Sequence, residues 1–438
     1  MDTRVQNSLL RWRLPALAPL LLALFLLPAC GEEDRSALPP ATAISYEPVN
    51  AVSEPELVTL SDTEAGFTWV TDSRSDTRVF LEREGTWEPL DLSRSPTRYH
   101  YALVEGLRPA TAYRYRLVSG DKTAPETDRS PGRFTTLATP PGEFLFSFAT
   151  INDTHVGEET AGLLCLGGTC FTEGFQSPWP EHPHWEFTNR GVVAAINRKR
   201  PDLVIHKGDV SSEYREEEFL EARRIFDSLE MPYHVVRGNH DRRGRPGERE
   251  EDFFRKVFGL DRTYRYFLYR DHLFILLDSV NPETGLPGIT EEQFDWLAKD
   301  VLPNHPRARV LVFLHHAVTK KAEVFALSEG DRRRLIALLA EHGGVVGVFS
   351  GHSHRAFVSH APRTGDVPFV ETPSTKEYPG GFCLYRVYSG GYLQTFYRTD
   401  CDDYCLPWFE LTKGEYFGFA PAILFGDLKD RNFLYAYP

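Results

Sequence analysis

The stretch Leu203-Val204-Ile205-His206-Lys207-Gly208-Asp209 leads, through residues 216–229, into Tyr233-His234-Val235-Val236-Arg237-Gly238-Asn239-His240-Asp241. The two short apolar runs read as buried strands, and 216–229 between them reads as a helix. Strand, helix and strand in that order predict a layered α/β fold, with ligand-bearing loops at the carboxyl ends of the strands. Both runs end in Gly followed at once by an acid or an amide.

The same rhythm extends outward from residue 143. Phe144-Leu145-Phe146-Ser147-Phe148-Ala149 reads as a strand, and 189–198 as a helix. Further strands are expected at 273–277, 310–314 and 345–349, with helices near 291–299 and 331–341. The first strand is followed by Asp153-Thr154-His155, the second by Gly208-Asp209 and the third by Gly238-Asn239-His240-Asp241. His315-His316 follows 310–314, and Gly351-His352-Ser353-His354 follows 345–349. Turn and capping chemistry accounts for Asp and Asn at strand ends. It does not account for the histidines.

Carboxylate, imidazole and amide donors suit divalent first-row ions such as Zn, Mn and Fe, with no thiolate needed. Two such ions roughly 3.5–4 Å apart share a bridging carboxylate and a water that gives hydroxide near neutral pH. The chain carries 49 Lys+Arg against 62 Asp+Glu, a net charge of −13. Ions, rather than side chains, would then supply the positive field around a phosphate. The same balance makes nucleic acid or an anionic lipid surface a poor partner by charge alone. With 438 residues, 41% hydrophobic and 25% charged, the composition excludes disorder and fibrous classes, and the length predicts two or three domains.

In order, and over residues 153–354, the blocks Asp153-x-His155, Gly208-Asp209, Gly238-Asn239-His240-Asp241, His315 and Gly351-His352-x-His354 resemble the calcineurin-like metallophosphoesterases. The separations of 56, 30, 76 and 37 residues from Asp153 through Asp209, Asn239 and His315 to His352 match that family. The resemblance implies a four-layer α/β/β/α sandwich over 143–438. It implies a metal-dependent hydrolase of phosphomonoesters or phosphodiesters, its partner a small-molecule phosphate ester. It also implies two divalent or mixed-valence ions of Fe, Mn or Zn. Asp153, His155 and His354 would hold one, Asn239, His315 and His352 the other, and Asp209 would bridge them. His315 rather than His316 is expected as the ligand, because the family's ligand comes first after the strand. A hydroxide bridging the two ions is the expected nucleophile, without a covalent phosphoenzyme. His240 would stand over the leaving group as acid or charge stabiliser, with Asp241 orienting it. Purple acid phosphatases also carry a fibronectin-like domain ahead of the catalytic one, but they place a Tyr ligand just after the second Asp and lack Asp-x-His. Asp209-Val210-Ser211-Ser212 has no such Tyr, so the resemblance is to the broader family.

Ahead of this region, strand-like runs at 56–60, 66–70, 77–81 and 98–103 recur about every ten residues, which predicts an all-β sandwich. Leu107-x-Pro109-x-Thr111-x-Tyr113-x-Tyr115-x-Leu117 resembles the E–F corner of fibronectin type III domains, in which a Tyr reaches back to the backbone. Trp69 would be the core Trp. The fibronectin type III-like domain is assigned to 51–138, as a spacer or a domain packed on the enzyme. At the start, Arg4, Arg11 and Arg13 precede the apolar run 14–27, too short for a membrane span and broken by two prolines. Leu27-x-Ala29-Cys30 resembles the lipobox of bacterial lipoproteins. Residues 1–30 are expected to be a signal peptide and 31–50 a tether, with export and a lipid anchor at Cys30 on the periplasmic or cell-surface side of a bacterial membrane. Cys165/Cys170 and Cys401/Cys405 read as disulfides and Cys383 as a buried free thiol.

Residues 157–186 read as a surface loop or as a lid that shapes the substrate site, 371–376 follow a strand close enough to offer substrate contacts without requiring them, and 406–438 are expected to pack on the core. Two other classes compete. One is a non-catalytic surface binding lipoprotein on a phosphoesterase scaffold, which intact donors in all five blocks disfavour. The other is a metal-dependent nuclease, which the acidic charge disfavours.

Overall fold

The computed structural model describes residues 48–438, apart from 92–94, 164, 167–168, 171, 173, 243–251, 320–325, 402 and 415–420. The signal segment, Cys30 and nearly all of the tether lie outside the described residues.

From residue 143 onward two six-stranded sheets pack face to face. The first runs, in spatial order, Tyr233–Val235, Leu203–His206, Phe144–Ile151, Gly381–Tyr388, Gly391–Arg398 and Phe433–Ala436. Its first three strands are parallel and the rest antiparallel. The second runs Arg265–Tyr269, His272–Leu276, Arg309–Phe313, Val345–Ser350, Phe369–Glu371 and Phe357–Ser359, with a parallel centre and antiparallel edges. The parallel strands are buried on both faces, which is why their sequences are continuously apolar.

The two-residue period of a strand sends alternate side chains to different cores. Phe146 and Phe148 enter the layer between the sheets, while Ala149 and Ile151 face outward. The Phe148 ring stacks on Tyr385 of its own sheet at 4.5 Å and meets Phe274 and Phe313 of the other at 5.5 and 5.8 Å. Outside the first sheet, Val192, Ile196, Phe219, Ile225 and Phe254 arrive on helices His184–Lys199, Glu216–Phe226 and Phe253–Phe258. Outside the second, Phe294 and Leu297 come from Glu291–Asp295 and its π-helical continuation Trp296–Val301, and Leu335 and Leu339 from Glu329–His342. The result is the expected α/β/β/α stack. The helix expected at 189–198 begins five residues earlier, after extended Pro183, and ends at left-handed Arg200.

Residues 52–135 form a sandwich of a three-stranded sheet, Val52–Leu60, Ala65–Ser75 and Thr97–Val104, against a second sheet built on Arg78–Arg83 and Ala112–Ser119. Trp69 is buried in its core, stacks on His100 at 4.9 Å and donates from Nε1 to Ser119 Oγ at 2.9 Å. At the corner before Ala112–Ser119, the Tyr113 hydroxyl accepts from the Arg108 backbone N–H at 2.9 Å. The backbone-anchored Tyr is therefore present.

The sandwich is fastened to the two-sheet body by buried charge. Glu56 lies 2.9 Å from Arg398 and 3.0 Å from Lys413, and accepts from the Tyr378 hydroxyl at 2.7 Å. Burial alone would raise its pKa, but Arg398 and Lys413 hold the carboxyl well below the ordinary glutamate range. Asn432 accepts from Leu60 N–H and Phe396 N–H and so ties one strand from each body together. Cys401 and Cys405 form a disulfide, Cys170 is disulfide-bonded, and Cys383 is a buried free thiol.

Candidate metal centre

All the donors expected in the five blocks converge at the carboxyl ends of the central strands. His354 Nε2 lies 3.1 Å from Asp153 Oδ1. Asp209 Oδ2 lies 3.2 Å from His315 Nε2 and 3.5 Å from His155 Nε2. His315 Nε2 is also 3.0 Å from Asn239 Oδ1 and 3.1 Å from His352 Nδ1. Donors bound to one ion at about 2.1 Å are separated by roughly 3.0–3.4 Å along the edges of an octahedral or tetrahedral shell. Four of the five observed spacings fit those edges, and the Asp209–His155 spacing of 3.5 Å lies just beyond them. Asp153 Oδ1 and both ring nitrogens of His155 are buried without a hydrogen-bond partner among the described residues. Buried polar atoms ordinarily find partners, so these donors and the spacings fit metal ions. Donor atoms from His315, His316 and His352 also lie within 4.8 Å of one another. His316, however, bonds through Nδ1 to Ser279 Oγ, whereas His315 faces Asp209 and Asn239.

The backbone carries the same signature. Asp153, His155, Asp209, His352 and His354 all have positive φ, between 39° and 62°. Left-handed backbone in a non-glycine residue costs on the order of 1–3 kcal/mol, and five cases at one place mark a functional constraint. Gly208 sits at φ 98°, where a Cβ would stand 2.5 Å from His315 Nδ1, and a Cβ on Gly238 would run into the Asp209 carboxylate. These two positions must be glycine for the donors to close in.

Three of the donors are held by a neighbour. His315 Nδ1 bonds to the Lys207 carbonyl at 2.9 Å, His352 N–H donates to Asp153 Oδ2 at 3.0 Å, and His240 N–H donates to Asp209 Oδ1 at 2.8 Å. Burial would lower the His315 pKa, but Asp209 beside it pushes it up to about 9. His352, buried beside His315, is pushed down to about 3. The His240 ring stands exposed at the mouth, 4.5 Å from the His155 ring, and its Nδ1 bonds to the Ser212 carbonyl at 2.7 Å.

One expectation changes here, and one open alternative closes. Asp241 does not orient the His240 ring. Its carboxylate turns inward and accepts from Val210 N–H, Ser211 N–H and Gly238 N–H at 3.0, 2.8 and 3.0 Å, so it braces the Asp209 loop, and the Ser212 carbonyl takes the orienting place. Residues 371–376 do not face the mouth. They are buried under the first donor loop, where Ser374 Oγ donates to the Asp153 carbonyl and Thr375 N–H to the Asn152 carbonyl. The described part of 157–186 docks by Trp179 and His182 on Tyr404, both ring pairs at 5.0 Å. Tyr214, five residues after Asp209, accepts from Phe253 N–H and stands outside the donor set. Missed in the sequence was Glu377, whose Oε1 holds His354 Nδ1 at 2.7 Å; the buried Lys376 beside it belongs to the singled-out segment 371–376, but as a support and not as a substrate contact. The only signal for Glu377 was its place just after that segment.

Residues 146–356 match the family model of calcineurin-like phosphoesterases. A probable glycerophosphodiester phosphodiesterase (GpdQ) of Arcobacter nitrofigilis is 34% identical over 164 residues, covering 36% of this chain and 58% of the relative. A probable cyclic nucleotide phosphodiesterase of Synechococcus is 28% identical over 189 residues, covering 42% of this chain and 69% of the relative. A dimetal phosphatase structure from Danio rerio aligns at 17% identity with a TM-score of 0.45, over 58% of this chain and 96% of that one. The chain thus spans less than two thirds of the length of the first of these relatives. The segment spanning residues 146–356 is a calcineurin-like phosphoesterase domain.

Proposed function

We propose that this protein hydrolyses small organic phosphate esters, phosphodiesters foremost, at a centre of two divalent ions. The observation that carries the reading is the convergence of Asp153, His155, Asp209, Asn239, His315, His352 and His354 at donor spacings of 3.0–3.5 Å. Asp153, His155 and His354 would hold one ion, Asn239, His315 and His352 the other, and Asp209 would touch both. When bound, the two ions supply Lewis acidity toward phosphoryl oxygens and generate hydroxide near neutral pH. The chain's own residues do the rest. Asp209 keeps the two donor sets in register. The Ser212 carbonyl fixes the His240 ring by Nδ1, so that Nε2 is the ring atom that would act on the departing oxygen. Iron, manganese and zinc all suit this donor set. The names of the two relatives, both phosphodiesterases, favour diester over monoester substrates.

The test is turnover of bis-nitrophenyl phosphate and nitrophenyl phosphate by metal-loaded and chelator-stripped protein. Diester hydrolysis that chelator abolishes and metal restores supports the proposal. Metal-loaded protein that turns over neither ester supports the non-catalytic binding lipoprotein instead. We propose further that the protein is exported and lipid-anchored at Cys30 in a bacterial envelope, as the Leu27-x-Ala29-Cys30 segment and the Cys401–Cys405 disulfide support. Palmitate labelling that persists in Cys30→Ala would refute the anchor.

A further inference from the structure

The two halves of the centre are backed differently. Behind His315 stands a neutral backbone carbonyl, that of Lys207. Behind His155 and His354 stands a buried row of alternating charge. Glu377, fully buried, places Oε1 2.7 Å from His354 Nδ1. Lys376, 1% exposed, places Nζ 3.3 Å from Glu377 Oε2 and pairs on its other side with Glu158. Glu158 Oε1 lies 3.8 Å from His155 Nδ1, and Glu158 Oε2 is 3.1 Å from His184 Nε2. The row starts behind one imidazole of this half and ends behind the other.

Its middle member is tightly held. The Lys376 carbonyl accepts from Trp408 Nε1 at 2.5 Å, and Trp408 stacks on His184 at 4.7 Å. Lys376 N–H donates to Ser374 Oγ, which in turn donates to the Asp153 carbonyl at 3.0 Å. An ammonium buried this deeply persists only because it is paired, and two carboxylates packed together persist only because a cation separates them. The row sums to one negative charge. A carboxylate at Nδ1 fixes a histidine's tautomer and makes its other nitrogen the better donor. His354 Nε2 is the atom that faces Asp153.

We infer that Lys376 is a positioning residue for one ion of the pair: by holding Glu158 and Glu377 apart behind His155 and His354, it makes binding in that half depend on the buried charge balance. This rests on the reading that the converged donors bind two ions. Without Lys376, two adjacent carboxylates repel each other, and Glu377 no longer holds the His354 ring. In the other half the ring of His315 keeps its carbonyl and is unaffected.

The experiment is zinc titration of chelator-stripped full chain, with zinc content per chain measured after dialysis at fixed free zinc. Wild type binding fewer than two ions would defeat the two-ion reading itself, whatever the variants do. Given two ions in wild type, Lys376→Met is expected to weaken one binding step about tenfold or more and leave the other unchanged. Lys376→Met with Glu158→Gln, which restores the single negative charge, is expected to recover the lost step. Glu377→Gln, which keeps Lys376 in place, is expected to weaken the same step if Lys376→Met does not fold. Equal weakening of both steps, unchanged binding, or no recovery in a double variant that melts like metal-free wild type would overturn the inference.

Discussion

Asp209 sits at φ 54° with one carboxylate oxygen 3.2 Å from His315 and 3.5 Å from His155, while the other accepts from the His240 backbone. Both donor sets therefore meet at one side chain. Asp209→Asn keeps the shape but removes the charge that two cations share. It is expected to lose both ions and all measurable turnover, read by metal content and kcat/KM. His240 contributes no side-chain donor to the proposed ligand set, and its ring is fixed by a carbonyl. His240→Asn is expected to keep two ions per chain and lose about 10²–10⁴ in kcat. Loss of metal in that variant would place His240 among the ligands.

At the scale of elements, the site is a set of strand ends. Parallel strands buried on both faces must be apolar, and where each stops the chain turns sharply, so donors appear in the sequence as polar blocks after apolar runs. That is why Asp153, Asp209, Asn239, His315 and His352 were legible. The supports were not. The Lys207 and Ser212 carbonyls have no side-chain signature, and Asp241 could be placed beside His240 but not turned toward Val210 and Ser211 without the turn's geometry. Glu377 and Lys376 lie in a loop whose burial depends on strands far away in sequence. Helix ends were misjudged at Pro183 because the first turn of His184–Lys199 carries aromatic residues without a capping side chain. The strand-end loops also yield a direct test. Gly208→Ala puts a Cβ 2.5 Å from His315 Nδ1 at φ 98°. It is expected to cost about 1–3 kcal/mol of stability and to reduce zinc content, whereas Gly343→Ala, also at positive φ but with no neighbour within 4 Å, should destabilise without loss of metal. Equal metal loss in both would sever the link between close approach and the centre.

At the scale of the whole molecule, the sandwich and the two-sheet body share a buried charge cluster. Glu56 is 1% exposed and neutralises Arg398 and Lys413. Glu56→Ala strands Arg398, while Lys413 keeps Glu54 at 2.9 Å and Glu410 at 3.4 Å. The substitution is expected to cost about 3–5 kcal/mol, measured by denaturant unfolding at pH 7. Because the folded carboxyl is held below its ordinary value of 4.5, its contribution is complete above that pH and is lost as pH falls below it. Glu410, in the same cluster, behaves in the opposite sense. Burial, with Glu56 nearby, raises it to about 7, so its charged form is disfavoured in the folded state and stability falls as pH rises from 4.5 to about 7. Glu410→Gln is therefore expected to raise the melting temperature at pH 8 and leave it unchanged at pH 4. A gain at pH 4 as large as that at pH 8 would assign the effect to packing instead.

The most direct measurement is anomalous diffraction at the zinc edge from crystals of zinc-loaded protein. The account predicts two peaks about 3.5–4 Å apart, one within bonding distance of Asp153, His155 and His354, the other of Asn239, His315 and His352, with Asp209 reaching both. A single peak, or two peaks away from these side chains, would contradict it.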